Sequence, residues 1–348
     1  MQGAPTRSFA SDNNSGVHPR VMQALAEANR DHVLAYGDDA WTQRAEAKLR
    51  EAFGADARAF FVFNGTGANV LGLAAMMRPW ECVLTTEWAH LASDECAAPE
   101  KFLGSKVVTI RAPEGKLTPE SVKPFVKGIG DQHHAQPRVI SITQSTELGT
   151  VYRPEEIRAL ADFAHQRQMY LHVDGARLAN AAAALGVPLR AITTDAGVDV
   201  LSLGGTKNGL MFGEAVVALR PELAKDMRFL RKQGMQLASK MRFVSAQFEA
   251  LLTDDLWRES AGHANRMARL LADEASRVPG VKLARPCEAN AVFPILPKPA
   301  ADALLRDWLF YPWNEATGEY RWVCSFDTTE DDVKRFVSAL RDAMTKHR

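Results

Sequence analysis

The sequence predicts an α/β fold: a large domain on a mostly parallel seven-stranded sheet, then a smaller α+β C-terminal domain. Three observations predict it. Short apolar runs alternate with helical periodicities through about residue 219. Those runs are nearly continuous in Val, Ile, Leu and Phe, the pattern of strands buried on both faces. After Pro221 the alternation gives way to a long helix-rich stretch and then a shorter mixed part.

In chain order, helices are expected over 19–30 and 39–53, the second opening on acidic residues and stopping before Gly54. Buried strands are expected over 59–63, 82–85, 106–110, 139–143, 169–174, 199–203 and 214–219. Between them, 64–69 reads as a tight loop, and 70–77, 154–168 and 177–185 read as helices. The stretch from Leu223 to Arg277 reads as one spanning helix or two, and Pro279-Gly280 opens a part with strands near 281–283, 291–295 and 320–325. This divides the chain into an N-terminal arm (1–15) that packs with the small domain, a large domain (16–250) and a small domain (251–348).

A chain of 348 residues can bury a sizeable core. Its 42 basic and 42 acidic residues cancel, so no overall charge draws it to nucleic acid or to an anionic membrane. A small metabolite is the expected partner. Cys82, Cys96, Cys287 and Cys324 are dispersed without a C-x-x-C pair, which argues against a disulfide framework and a zinc site. No metal is expected. The opening residues lack an apolar signal core and no run approaches a membrane span, so a cytoplasmic location is expected.

Two segments set the chemistry. Asp174 closes an apolar run in Met169-Tyr-Leu-His-Val-Asp-Gly-Ala-Arg177, and Lys207 sits in the glycine-rich turn Gly204-Gly-Thr-Lys-Asn-Gly209. If a helix joins the two strands, both groups arrive at one edge of the sheet. Pyridoxal phosphate needs that pair: an amine to condense with its aldehyde and a carboxylate to keep its ring nitrogen protonated, so that the ring acts as an electron sink. Either residue alone is commonplace. Gly65-Thr66-Gly67, placed between a strand and a helix, suits a phosphate, because helix-start N–H groups and a hydroxyl converge on an anion. It lacks the Gly-Lys-Ser/Thr of a Walker loop and the G-x-G-x-x-G of a dinucleotide fold.

Six segments then carry a resemblance: Ser11-Asp-Asn-Asn14, Ala35-Tyr-Gly-Asp-Asp39, Asn64-Gly-Thr-Gly-Ala-Asn69, Glu87-Trp-Ala-His90, Asp174-Gly-Ala-Arg177 and Gly204-Gly-Thr-Lys-Asn-Gly209. In this order they resemble the pattern of the low-specificity L-threonine aldolases, of the aspartate-aminotransferase-like fold, type I, of pyridoxal phosphate enzymes. The resemblance implies that Lys207 bonds the cofactor aldehyde, Asp174 pairs with the ring nitrogen, Gly65 and Thr66 hold the phosphate and His90 stacks on the ring. Arg177, beside the cofactor, and Arg321 on a small-domain strand would grip the substrate carboxylate with Ser11. Tyr36 would come from a neighbouring subunit, which implies a homotetramer with active sites at a dimer interface.

The implied reaction is retro-aldol cleavage of L-threonine, L-allo-threonine and related substrates such as phenylserine to glycine and an aldehyde. Its β-hydroxyl proton needs a base: His90, His133 of Asp131-Gln-His-His-Ala-Gln-Pro-Arg138, or a water they hold. The alternatives are a β-eliminating lyase or aminotransferase, and a pyridoxal phosphate-binding regulator without turnover. The chain departs from the usual pattern at three places. Thr206-Lys207-Asn208 replaces Ser-Lys-Gly, Gln144-Ser-Thr-Glu147 replaces Glu-Asn-Thr-His, and Gln236 stands where an arginine often meets the phosphate. Lys232, Lys240 and Arg242 are the candidates to replace that arginine.

Overall fold

The computed structural model describes residues 7–347, so the first six residues of the expected arm lie outside the described residues. Seven strands form the main sheet: β1 (Arg58–Val62), β2 (Glu81–Thr86), β3 (Lys106–Ile110), β4 (Gln136–Thr143), β5 (Tyr170–Gly175), β6 (Val200–Gly204) and β7 (Glu214–Ala218). Their order across the sheet is β1-β7-β6-β5-β4-β2-β3. The pairs from β3 through β6 are parallel, whereas β7 runs antiparallel to both β6 and β1. Being reversed twice, β1 points the same way as β6, and only β7 opposes the rest. Six strands therefore release their C-terminal ends at one edge, the usual ligand edge of an open α/β sheet.

Successive residues of these strands enter two different cores, as the strand's period of two requires. Val83, Val139, Val200 and Val216 belong to one buried cluster. Leu84, Ile140, Leu201 and Val217 belong to the other. Helices cover both faces, which explains why the strands read as apolar runs without alternation.

The second part of the chain carries β8 (Lys282–Leu283), β9 (Ala291–Val292), β10 (Pro294–Ile295), β11 (Tyr311–Asn314) and β12 (Glu319–Val323), with the helices Leu256–Ser276 and Glu330–Lys346 packed on them. Its own core gathers Phe310, Trp322 and Phe336, together with Phe9 from the N-terminal arm. Phe9 meets the Phe336 ring at 4.7 Å and its carbonyl accepts the Val323 N–H at 2.8 Å. The arm thus continues the small sheet's packing and delivers residues 11–14 to the space between the two cores.

Four differences from the sequence reading have physical causes. The helix expected from residue 70 starts at Gly65, because the Asn64 side chain accepts the Gly67 N–H at 2.8 Å and caps the first turn. The long helical stretch divides into Met227–Gln233, Arg242–Leu252 and Leu256–Ser276. Asp254 and Asp255, at φ 52° and 54°, break the helical path before the last of these. The expected strand at 291–295 splits into β9 and β10, and β11 escaped notice because Pro312 argues against a strand.

Candidate active site

Lys207 lies in the short turn Thr206–Asn208 directly after β6, and Asp174 lies near the end of the adjacent β5. The turn comes very close to its neighbour: a Cβ on Gly204 would stand 2.5 Å from the Ala176 carbonyl oxygen, so only glycine fits. Gly209 closes the turn at φ +102°. From the reversed strand β7, Glu214 accepts the Gly205 N–H at 2.7 Å and fixes the turn from beneath; burial pushes its carboxyl up to about 7. Both functional groups open into one cavity of about 390 Å³.

Asp174 is held in place from two sides. Its Oδ1 accepts the Ala176 N–H at 3.0 Å, and its Oδ2 accepts Asn69 Nδ2–H at 2.8 Å. Asn69 donates equally to Glu95 Oε1, at 2.8 Å, and Glu95 Oε1 lies 2.9 Å from His90 Nδ1. One amide group therefore ties the carboxylate under the cavity to the carboxylate behind the imidazole. Glu95 is buried, and its hydrogen bond raises the His90 imidazole above its ordinary value, against the opposing effect of burial. His90 starts a short helix, presents its ring to the cavity and donates its backbone N–H to Glu147 Oε1 at 2.8 Å.

The cationic side of the cavity is built by Arg177 and Arg321. Arg177 donates through Nε and Nη2 to the two oxygens of Asp12, each at 2.8 Å. Asn290 Nδ2 donates to the same Asp12 and to the Cys324 carbonyl, so the arm, the large sheet and the small sheet meet at one buried carboxylate. Burial alone would raise Asp12; the charges of Arg177 and Lys207 and its hydrogen bonds hold it below its ordinary value. Arg321, on β12, lies over the Trp313 ring at 5.0 Å and has a buried Nε without a partner. Burial first, and then the like charge of Arg177, push its guanidinium down to about 10. Two guanidiniums and an unanswered N–H on one wall are the donor set for a carboxylate ligand. Ser11 lines the same cavity, its Oγ accepting the Asn13 N–H at 3.1 Å.

Gly65 also opens onto this cavity, at the N-terminus of the helix Gly65–Met76, where a Cβ would meet nothing within 4 Å. Thr66, one residue on, lines an adjoining cavity of about 410 Å³ with Gln236. Gln236 closes over the helix start: its Oε1 accepts the Phe63 N–H at 2.9 Å, and a Cβ on Gly67 would stand 2.5 Å from its amide carbon. The proposed substitutes for the missing arginine are engaged or lie elsewhere. Arg242 donates to the Arg30 and Asp31 carbonyls, Lys232 lies over the Tyr36 ring at 5.6 Å, and Lys240 does not line the cavity.

Pyridoxal phosphate fits these residues. An amine, a carboxylate fixed in place, a flat imidazole and an open helix N-terminus border one space, and the Lys207 amine is pushed down by burial first and then by Arg177, which favours its neutral form. Among the described residues no group of three or more His, Cys, Asp or Glu could hold a metal ion.

The comparisons agree with this chemistry. The family model described as Beta-eliminating lyase matches residues 8–297. The chain belongs to the beta-eliminating lyase family. It is 47% identical over 341 residues to the low specificity L-threonine aldolase of Pseudomonas aeruginosa, covering 97% of this chain and 98% of that one. The structure of a Leishmania major threonine aldolase superposes with a TM-score of 0.91 at 32% identity, covering 97% of this chain and 99% of that one. An aspartate aminotransferase from Thermus thermophilus, at 18% identity, TM-score 0.71 and coverage of 98% and 92%, shares the fold.

Within this beta-eliminating lyase two expected residues stand apart from the cavity of their own chain. His133 is exposed in a turn before β4, its N–H donating to Asp131 Oδ1 at 3.0 Å. Residues before a parallel strand emerge at the edge opposite its C-terminal end, and the 8 residues of β4 span roughly 25 Å at about 3.3 Å each. His133 therefore does not reach the cavity of its own chain. Tyr36 is 51% exposed, at φ +63°, and also lies off this cavity. Sequence reasoning missed Glu95 as the partner of His90 and Asp12 as that of Arg177. Asp12 and Asn69 stood inside quoted segments, whereas nothing in the spacing singles out Glu95.

Proposed function

We propose that this chain cleaves L-threonine, L-allo-threonine and related β-hydroxy-α-amino acids such as phenylserine into glycine and an aldehyde, with pyridoxal phosphate as cofactor. The observation that carries the reading is the placement of Arg177 and Arg321 in the same cavity as Lys207 and Asp174. Bound there, the cofactor supplies an electron sink for the pair left when a bond to Cα breaks.

The rest is work for the chain's own residues. Lys207, kept more neutral than a solvated lysine, offers the amine that an aldehyde requires. Asp174, with both oxygens already hydrogen-bonded, would hold the ring nitrogen without moving. His90 would cover one face of the ring, and Gly65 with Thr66 would hold the phosphate at the helix start. Arg321, with Ser11 and the Asp12-braced Arg177, would hold the substrate carboxylate. Fixing that group fixes which bond at Cα stands across the ring plane, and an aldolase needs this to be Cα–Cβ.

The family's description favours one rival, β-elimination, which uses the same cavity but loses a Cα proton first. Products separate the two. Purified protein supplied with pyridoxal phosphate and L-threonine should release glycine and acetaldehyde. Ammonia and a 2-oxo acid would mean elimination, and no turnover at all would mean a regulator.

We propose further that the working assembly is a homotetramer, with each cavity at a dimer interface. Tyr36 lies off its own cavity and is exposed, as are Leu34, Phe63, Met211, Phe229 and Met235, large apolar side chains that contact with another copy would cover.

A further inference from the structure

Glu147 stands on the wall of the same cavity, in the turn that follows β4. Its Oε1 accepts two hydrogen bonds, from the His90 backbone N–H and from Thr143 Oγ1–H, each at 2.8 Å. Among the described residues no other residue donates to Oε2. The side chain is thus clamped by one oxygen while the other remains for a ligand. Nothing in the reading above uses it.

We propose that Glu147 is a further catalytic residue of the reaction proposed above, its Oε2 accepting the substrate's β-hydroxyl proton as the Cα–Cβ bond breaks. The steps balance. The O–H bond breaks and its electron pair becomes the second bond of the aldehyde C=O. The Cα–Cβ pair stays with Cα, where a bound cofactor would supply the electron sink for it. The proton on Glu147 balances the one that Cα gains before glycine leaves.

The competing bases are less suited. His133 lies at the far edge of the sheet from the cavity of its own chain. His90 is bound at Nδ1 by Glu95, which holds its protons more firmly than a free imidazole does. Glu147 has the opposite bias. Burial first, then the nearby Asp174 carboxylate, raise it to about 7, while the Thr143 hydroxyl and the backbone N–H groups of His90 and Glu147 pull the other way. Around it stand Asp174 at the end of β5, the His90 ring, the Arg177 guanidinium, and Tyr152 from its own loop. A base that titrates near neutrality combines a populated ionised form with real proton affinity.

The proposal rests on the aldolase reading, and the test keeps the two apart. Glu147→Gln retains an Oε1 acceptor for the His90 N–H and removes the base. With L-threonine, wild-type turnover should rise with pH through about 7 and then level, because Glu147 is ionised above that value. In E147Q that limb should vanish and kcat should fall about a hundredfold or more, with KM little changed. Exchange of the glycine α-hydrogen in deuterated water has no β-hydroxyl proton to remove, so E147Q should keep it. Infrared difference spectra of the cofactor-free protein against E147Q should show a carboxyl titrating near pH 7 that only the wild type has.

Unchanged kcat with the pH limb intact overturns the proposal. Equal loss of cleavage and glycine exchange also overturns it, since Glu147 would then act only by holding His90. A wild-type spectrum with no carboxyl titrating near pH 7 beyond the Glu214 signal that E147Q shares does the same. If wild-type protein keeps glycine exchange but releases no glycine from threonine, the aldolase reading falls and the proposal falls with it.

Discussion

Arg321 and Arg177 face the same ligand from different positions. Arg177 already has a bidentate partner in Asp12, whereas Arg321 Nε is buried and unanswered. A carboxylate brought by the substrate relieves the larger deficit at Arg321. Arg321→Ala should raise KM for L-threonine roughly ten- to a hundredfold, from the loss of about 1.5–3 kcal/mol of charged hydrogen bonding, and should also slow kcat. Steady-state kinetics with cofactor absorbance as a control would check it; unaltered kinetics would assign Arg321 to structure alone. The types of these side chains were legible in the sequence because each segment ends a strand-like run or repeats a family pattern. Their partners were not. Glu95 reaches His90 and Asp12 reaches Arg177 only once the chain has folded, and no local spacing encodes contacts between residues 12 and 177.

At the level of elements, continuous apolar runs identified all seven strands of the main sheet, because burial on both faces leaves no polar alternation to confuse them. The strand at Lys106–Ile110 has the expected limits, and the others differ by one to three residues at an end. What failed was punctuation. Glycines at 65 and 67 signalled a loop, yet with Asn64 capping them they form the first helical turn, and that change brings Gly65 to the cavity. Pro312 hid β11, whose Tyr311 and Pro312 line the cavity opposite the large sheet. The direction of β7 was legible but not drawn: only residues 205–213 join it to β6, fewer than the dozen or so that a crossover to a parallel strand needs, and its reversal places Glu214 beneath the turn that carries Lys207.

For the whole molecule, topology decides which residues meet. Six strands that end at one edge gather Gly65, Asp174 and Lys207 there, and the same rule sends His133 to the other edge. If Tyr36 works at a cavity, another copy must receive it. Sedimentation of the active protein should therefore give the mass of at least two chains, and of four if the proposed tetramer forms; a fully active monomer would contradict the proposed assembly. The central claim is that Lys207 and Asp174 serve one bound pyridoxal phosphate. The most direct measurement is borohydride reduction of the cofactor-loaded protein followed by peptide mass mapping. A pyridoxyl group fixed on Lys207, and lost in Lys207→Ala together with the visible absorbance, is the predicted result. A label on another lysine, or unchanged absorbance in the variant, would contradict the account.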